Sequence, residues 1–534
     1  MNQLYFGDCL DVLKDLHNQY PQGFVDLIYI DPPFNSKRNY NVLFEDAELE
    51  DTKAQKEAFA DTWSNISYID TLNEIAELNI DLFNLLKAFD ENSGISNDAV
   101  SYLTTMGIRI YYMYKLLNDT GSFYLHCDPT MSHYLKIMCD IIFGYQQFGN
   151  EIVWKRTSAH SNAIGYGSSI DIILFYIKGS KFKWNQQFTP YEEDYINTYY
   201  RYIDESGRRF MSSDLVGHKG VNKEYEWKGI TRAWRYPKQR LDELEKENRI
   251  FWTRNKFPRY KRFLDEMPGM PVQNIWTDIQ PVVSWSKEGL GFPTQKPIAL
   301  MERIINSSSN EDDLVADFFC GCGTTIAAAE KLNRKWMGVD ISHLAIKLIS
   351  KRLDETYGII VNKDFEIHGM PKDIASAREL ANEVKGGRLE FEEWIIEVLL
   401  HGVLNERRNE LGYDGYLTFS IQNKKQIVMI EVKSGNASAS QLNHFIQTAA
   451  EKKASMGVFV CFEDQVSKKM REIAKRQGYY NQEMFGNNYD KFQILTVEDL
   501  LNGIQPKLPA STVGVFKSSE KVKKQDATQG KFDL

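Results

Sequence analysis

Val25-Asp26-Leu27-Ile28-Tyr29-Ile30-Asp31-Pro32-Pro33-Phe34 decides how this chain reads. The run from Val25 to Ile30 is rich in strand formers and too short for a helix, which predicts a buried parallel strand. Pro32 and Pro33 stop it and hold Asp31 extended, because a residue before proline is pushed out of the α region. An acid, a stiff turn and an aromatic ring then stand at a strand's C-terminal edge, where open α/β sheets place their ligands.

That tip suits the methylation of a planar exocyclic amine. Such an amine is a poor nucleophile, because its lone pair is delocalised into the ring. A carboxylate and a backbone carbonyl accepting its two N–H bonds favour a pyramidal nitrogen and aim the lone pair at a methyl donor. A neighbouring aromatic side chain stacks on the ring. The plain alternative is a strand ending in an ordinary Asp-Pro turn.

Upstream, residues 2–8 predict a short strand with Asp8 at its tip, and residues 9–20 a helix. Downstream, residues 35–100 are polar apart from a helical pattern around 75–89, and read as a flap-like insertion beside the tip. A helix over 100–118, a turn and strand over 121–129, a helix over 131–143 and strands near 150–155 and 171–177 complete half a sheet. A second strand, Leu314-Val315-Ala316-Asp317, runs into Phe318-Phe319-Cys320-Gly321-Cys322-Gly323-Thr324-Thr325 and then a helix. The following strand, Trp336–Val339, ends in Asp340. Strand, glycine turn, helix, strand and acid in that order hold a nucleoside in a Rossmann-like unit, the glycines admitting backbone contact and the acid taking ribose hydroxyls. A phosphate-binding P-loop fits poorly, since no Gly-Lys-Ser/Thr follows.

Between these blocks, residues 180–290 interleave Arg, Lys, Trp and Tyr. From Arg201 to Arg262 there are 17 Lys/Arg against 9 Asp/Glu, inside a chain of formal net charge −9. Positive charge neutralises phosphates, and aromatic rings and Arg forks stack on or read bases, so Trp227, Arg232, Arg235, Lys238 and Arg259 are expected to touch DNA. The alternative is a solvated irregular domain.

The motif order resembles the β-group (circularly permuted) amino DNA methyltransferases, over roughly residues 1–360. In that family an Asp-Pro-Pro-aromatic tetrad comes first, a target-recognition region second and the cofactor glycine motif last. The resemblance implies a catalytic set of Asp31, Pro32, Pro33 and Phe34, with the Pro32 carbonyl sharing the amine and Phe34 stacking on a base flipped out of the duplex. It implies S-adenosylmethionine held by Asp317, Phe319, Gly321, Gly323 and Thr324, its ribose on Asp340 and its adenine amine on Asp8. Phe292-Pro293-Thr294-Gln295-Lys296-Pro297 resembles the family's Thr-x-Lys-Pro element, so Thr294 and Lys296 join the cofactor set. An initial Asp rather than Ser points to adenine N6 over cytosine N4. Protein glutamine and RNA amino-methyltransferases place Asn-Pro-Pro-Tyr after the glycine motif, the reverse of the order here.

A linker over 361–387 leads to a second pattern over 388–504. An amphipathic helix spans 391–400, strands cover 412–419 and 426–435, and a helix near 440–452 precedes a strand over 457–462. Glu431 and Lys433 share a strand face, and Asp414 is placed to join them from the neighbouring strand. Two carboxylates make a hard-oxygen Mg²⁺ site and the lysine activates water. This resembles the PD-(D/E)xK fold of Mrr-like restriction endonucleases, with Glu392 or Glu393, here assigned as Glu393, as the helix acid. The alternative is an inert module that only binds DNA. Residues 505–534 are low in apolar residues and read as disordered.

Hydrophobic content of 43% and charged content of 26% over 534 residues are those of a soluble globular protein. Six scattered cysteines give no disulfide framework and suggest a reducing cytoplasm. No apolar run spans a membrane. The expectation is an α/β protein: a Rossmann-like S-adenosylmethionine-dependent sheet with an inserted recognition region, plus a smaller restriction-endonuclease-like α/β domain. Its expected partner is double-stranded DNA, with a second copy or a separate restriction subunit as further candidates. A methyltransferase with an inactive C-terminal domain, and a DNA-sensing protein with two relic sites, are the alternatives.

Overall fold

The computed structural model describes residues 2–33, 68–92, 94–157, 166–218, 222–283, 286, 288–290, 295–371, 373–382, 387–405, 411–421, 424–482 and 487–509. Phe34, Thr294 and the part of the expected tail over 510–534 lie outside the described residues, as does the part of the flap over 35–67.

A nine-stranded sheet carries the first half of the chain. Its strands are β1 (Asn2–Phe6), β2 (Val25–Ile30), β3 (Leu117–Cys127), β4 (Phe148–Lys155), β5 (Ile170–Ile177), β6 (Ile275–Trp276), β7 (Leu314–Asp317), β8 (Lys335–Asp340) and β9 (Phe365–His368). They lie in the order β6-β4-β5-β3-β2-β7-β8-β1-β9, and only β5 runs against its neighbours. β2 sits centrally, so both its faces are covered, and Val25, Leu27, Ile28 and Ile30 are all buried. That double burial is why its sequence is a continuous apolar run rather than an alternating one.

The covering helices include α1 (Cys9–Gln19), α2 (Tyr68–Leu78), α3 (Ile80–Asp90), α4 (Asn97–Leu116) and α5 (Ser132–Phe143). The helical pattern over 75–89 is two helices, broken where the Asn79 side chain accepts from the Leu82 N–H and caps α3. Leu72, Ile75, Leu82 and Leu86 bury into the core. The described part of the expected flap is therefore core packing, a correction that follows from its apolar face. Behind the glycine loop lie α6 (Ile298–Ser308), α7 (Thr324–Lys331) and α8 (His343–Tyr357).

Residues Gln186–Gln273 form a compact unit of their own. A four-stranded antiparallel sheet in the order 250–252, 258–263, 209–213, 202–203 is joined by a hairpin over Glu224–Ala233. The hairpin turns at Lys228-Gly229, both with positive φ, as the twist of a two-residue hairpin demands. Leu215, Trp227, Trp234, Leu241, Leu244 and Ile250 are its core. Trp227 is 1% exposed and its indole N–H donates to Asp242 at 2.7 Å. It does not face solvent, which corrects the DNA-contact expectation: Trp227 and Trp234 are spent on the interior of this small unit.

The C-terminal region follows α9 (Ile374–Asn382) and α10 (Gly387–Glu393). The helix expected over 391–400 continues from α10 as a π-helical turn, Trp394–Leu399, that buries Trp394, Ile395 and Ile396. Strands β10 (Val403–Leu404), β11 (Gly415–Ile421), β12 (Lys424–Val432), β13 (Met456–Cys461) and β14 (Phe492–Thr496) pair in chain order, with α11 (Ala439–Glu451) on one face. α8 serves both regions: Lys347 donates to the Glu397 carbonyl at 3.4 Å, and burial pushes its ammonium down to about 8. Among the described residues no helix is long and apolar enough to cross a membrane.

Candidate active site

Three adjacent strands, β2, β7 and β8, end in acids at one edge of the sheet: Asp31, Asp317 and Asp340. Asp317 is level with Gly338 of β8, which puts Asp340 two residues further out, opposite Phe6 of β1. The chain leaves Asp317 through a loop whose glycines carry the turn. Gly321 and Gly323 have φ of 49° and 73°, and a Cβ on Gly323 would lie 2.6 Å from Ile349. Only glycine fits there without moving α8.

Both loop acids are held by the loop itself. Asp317 accepts from the Phe319 N–H at 3.0 Å and the Thr325 hydroxyl at 2.5 Å. Asp340 accepts from the Gly321 N–H at 2.8 Å and the Ser342 N–H at 2.9 Å. Burial nevertheless pushes Asp317 up to about 7 and Asp340 up to about 6. Each carboxylate oxygen keeps a further lone pair, so both acids retain the capacity to accept from a ligand. Thr324, buried at the start of α7, contacts the Cys322 thiol at 3.6 Å. Phe319 is half-buried beside them.

Asp31 follows β2 directly, with Pro32 buried and Pro33 half-buried behind it. Its carboxylate forms an ion pair with Lys296, the side chains being only 16% and 13% exposed. The lysine expected on the cofactor is thus joined to the acid expected to hold the target amine. Asp8 caps α1 by accepting from the Leu10 N–H at 2.7 Å, and both its oxygens accept from Arg109 at 2.8 Å. Arg109, buried in α4, was not foreseen; a charged side chain inside an apolar helix is its only sequence signal.

Next to Asp31 the sheet carries a buried polar chain. Tyr29 of β2 bonds His126 of β3 at 2.9 Å, His126 bonds Asp171 of β5 at 3.1 Å, and Asp171 pairs with Arg156 at 3.0 Å. None of these four was singled out in the sequence, because they come from four separate segments.

The model of the DNA methylase family that covers N6 and N4 enzymes matches residues 25–352. The chain belongs to that family. Residues 389–502 match a second model, described as NACHT-associated inactive Restriction Endonuclease 1. The type II methyltransferase M.EcaI of Enterobacter cloacae is 32% identical over 47% of this chain and 57% of its own length. The StyLTI Mod subunit of a type III restriction-modification enzyme, from Salmonella typhimurium, is 29% identical over 62% of this chain and 50% of its own. The chain spans about half the length of these two curated relatives. The DNA adenine methyltransferase YhdJ of Escherichia coli is 24% identical over 65% of this chain and 81% of its own length. Among solved structures, Thermus thermophilus TTHA0409 with S-adenosyl-L-methionine aligns with 70% of this chain and 100% of its own, at 15% identity and a TM-score of 0.34.

The DNA methylase match ends before the C-terminal region, where Asp414, Glu431 and Lys433 do come together. The Val432 N–H donates to Asp414 at 2.7 Å, and Lys433 pairs with Glu431. Burial, and then the Asp414 charge, push Glu431 up to about 7. Glu392 of α10, 3% exposed, is a further acid whose charge raises Glu431. Among the described residues no group of three or more His, Cys, Asp or Glu is arranged to hold a metal ion. Lys433 seats its ammonium on Glu431, one of the two carboxylates expected on Mg²⁺.

In the compact unit over 186–273, Arg232 and Lys238 are exposed. Arg235 is exposed but donates to the Val216 carbonyl at 3.0 Å, and Arg259 is tied to Ser212 at 3.3 Å. Arg208, Arg240, Arg249 and Lys228 pair with acids of the same unit, so these four cations are already engaged within it.

Proposed function

We propose that this chain is a circularly permuted, β-group DNA methyltransferase that moves a methyl group from S-adenosylmethionine to adenine N6 in a specific sequence of double-stranded DNA. The observation that carries the reading is the row of Asp31, Asp317 and Asp340 at the ends of adjacent strands. It sets an amine acceptor beside a glycine loop whose two acids suit the cationic and diol ends of that cofactor. When bound, the cofactor supplies an electrophilic methyl on a sulfonium. Asp31 accepts one N–H of the extruded base and the Pro32 carbonyl accepts the other, which turns the nitrogen lone pair toward the methyl. The N–C bond forms as the C–S bond breaks, and the amine proton leaves to Asp31 and on to solvent. Alignment supplies most of the acceleration. Asp317 receives the amino group of the methionine part and Asp340 the ribose hydroxyls.

The match of residues 389–502 to an inactive endonuclease family favours a C-terminal domain that binds DNA without cutting it. It retains a PD-(D/E)xK-like outline, with Lys433 neutralising Glu431 where a metal would sit. Relatives of the Mod-subunit kind support a separate restriction subunit as the partner that cleaves.

Incubating the purified protein with unmethylated genomic DNA, with S-adenosylmethionine and Mg²⁺ supplied singly and together, tests both readings by sequencing. N6-methyladenine in one motif without strand breaks is expected. Methylation of no base would defeat the first reading, and Mg²⁺-dependent breaks lost in Lys433→Ala would defeat the second.

A further inference from the structure

The Tyr29–His126–Asp171–Arg156 chain needs a reason to exist. Tyr29 is 2% exposed, and the His126 and Asp171 side chains are 0% and 3% exposed. Buried polar chains add little to stability that well-packed apolar side chains would not match. Burial pushes Asp171 up, yet the His126 hydrogen bond and the charges of Arg156 and Lys296 outweigh it and hold the carboxyl below its usual range. An ionised Asp171 accepts from His126 Nε2–H, and Nδ1 of the same ring shares a hydrogen bond with the Tyr29 hydroxyl. The chain thus fixes one anion inside the sheet.

Its placement gives that anion a task. Ile30 pairs with Leu125, so His126 stands level with Asp31 on the next strand. Residues two apart share a face, so Tyr29 and Asp31 share one, and His126 shares it with them. His126 pairs in turn with Ile173 of β5, two residues from Asp171. Lys296, whose ammonium sits on Asp31, also helps by its charge to hold the Asp171 carboxyl low. An ammonium and an exocyclic amine are both N–H donors, and Asp31 is the acceptor of each.

We propose that Lys296 is an internal placeholder for the target amine, and that Asp171 is the second carboxylate to which it turns when the amine of an extruded base takes over Asp31. This rests on the methyltransferase reading. Asp31 never stands as a lone buried charge, since Lys296 covers it until substrate arrives. The departing ammonium meets a prepared anion instead of apolar packing. Asp171, His126 and Arg156 are positioning residues: they act on the base through Lys296.

The test uses the full-length protein with S-adenosylhomocysteine and two duplexes carrying the mapped motif, one with adenine at the target and one with purine, which lacks the amine. The ratio of their Kd values isolates the amine. Asp171→Asn is expected to lower the preference for adenine at least fivefold and leave the purine duplex within twofold of wild type. Adding Lys296→Met to Asp171→Asn is expected to restore the preference, a non-additivity that general damage does not produce. Lys296→Met alone is expected to hold S-adenosylmethionine within threefold of wild-type affinity. An unchanged ratio in Asp171→Asn, a double variant no better than Asp171→Asn, or a tenfold loss of cofactor affinity in Lys296→Met each overturns the proposal. Arg156→Gln, at the half-exposed end of the chain, removes the cation already paired with Asp171 and is expected to shift the ratio the other way, toward adenine. It carries the test if Asp171→Asn does not fold. A wild-type protein that methylates nothing is a failure of the parent reading, and the sequencing experiment shows it before any variant is made.

Discussion

Arg109 in α4 donates to both carboxylate oxygens of Asp8, a residue 101 positions earlier, and the guanidinium is 2% exposed. Asp8 is thereby a clamp between α1 and α4, whatever it offers a ligand. Asp8→Ala is expected to cost about 3–5 kcal/mol of stability, because it leaves a buried charge without its partner. Urea denaturation checks this. A variant as stable as wild type that no longer binds S-adenosylmethionine would make Asp8 a cofactor contact alone.

Asp31→Ala is expected to abolish methylation, by at least about a hundredfold in kcat, the scale at which a lost acceptor at the reacting atom is felt. The circular dichroism spectrum should match wild type, since Asp31 follows the strand rather than packing inside it. Near-wild-type turnover would remove Asp31 from the chemistry.

Asp317 and Asp340 set a pH dependence with a definite sign. Their folded values of about 7 and about 6 lie above the ordinary 3.8. Folding therefore holds protons that the unfolded chain has already released. The contribution favours the fold below about pH 4 and is lost as pH rises through 6 and 7, at about 1.4 kcal/mol per pH unit for each proton. Affinity for the cationic cofactor runs the other way, rising as the two acids ionise. Calorimetry at pH 5.5 and 8 should show at least tenfold tighter binding at the higher value. Asp317→Asn should flatten that rise and unfold at a higher urea concentration than wild type at pH 8.

Lys433→Ala is expected to leave methylation unchanged and to loosen the C-terminal domain, because Glu431 loses the cation beside it. Glu431→Gln combined with Lys433→Ala should recover part of the loss. Limited proteolysis of the C-terminal region reads this directly; equal resistance in all three proteins would show that the pair contributes nothing to folding.

How far the sequence went depended on range. The Asp31 tip, the glycine loop from Asp317 and the acid at Asp340 were legible because strand, turn and acid are consecutive, and proline and glycine leave few conformations for them. Lys296 was legible as a motif but not as the partner of Asp31, since they are 265 residues apart. Long separations likewise hid Arg109 from Asp8, and Tyr29 from His126 and Asp171. Trp227 was misread because interleaved aromatics and cations describe a small core with neutralised rims as well as a nucleic-acid face. The break at Asn79 was visible only as a capping residue inside an apolar period.

Residues 186–273 leave the sheet after Asn185 and return at Asn274, and both ends are tied to sheet-side elements: Asn185 donates to the Ser307 carbonyl, and β6 pairs with β4. A segment bounded in this way can be traded between lineages by recombination as a single cassette. On the proposed function, with target recognition in this segment, such an exchange would change the sequence that is read while Asp31, Asp317 and Asp340 stay as they are.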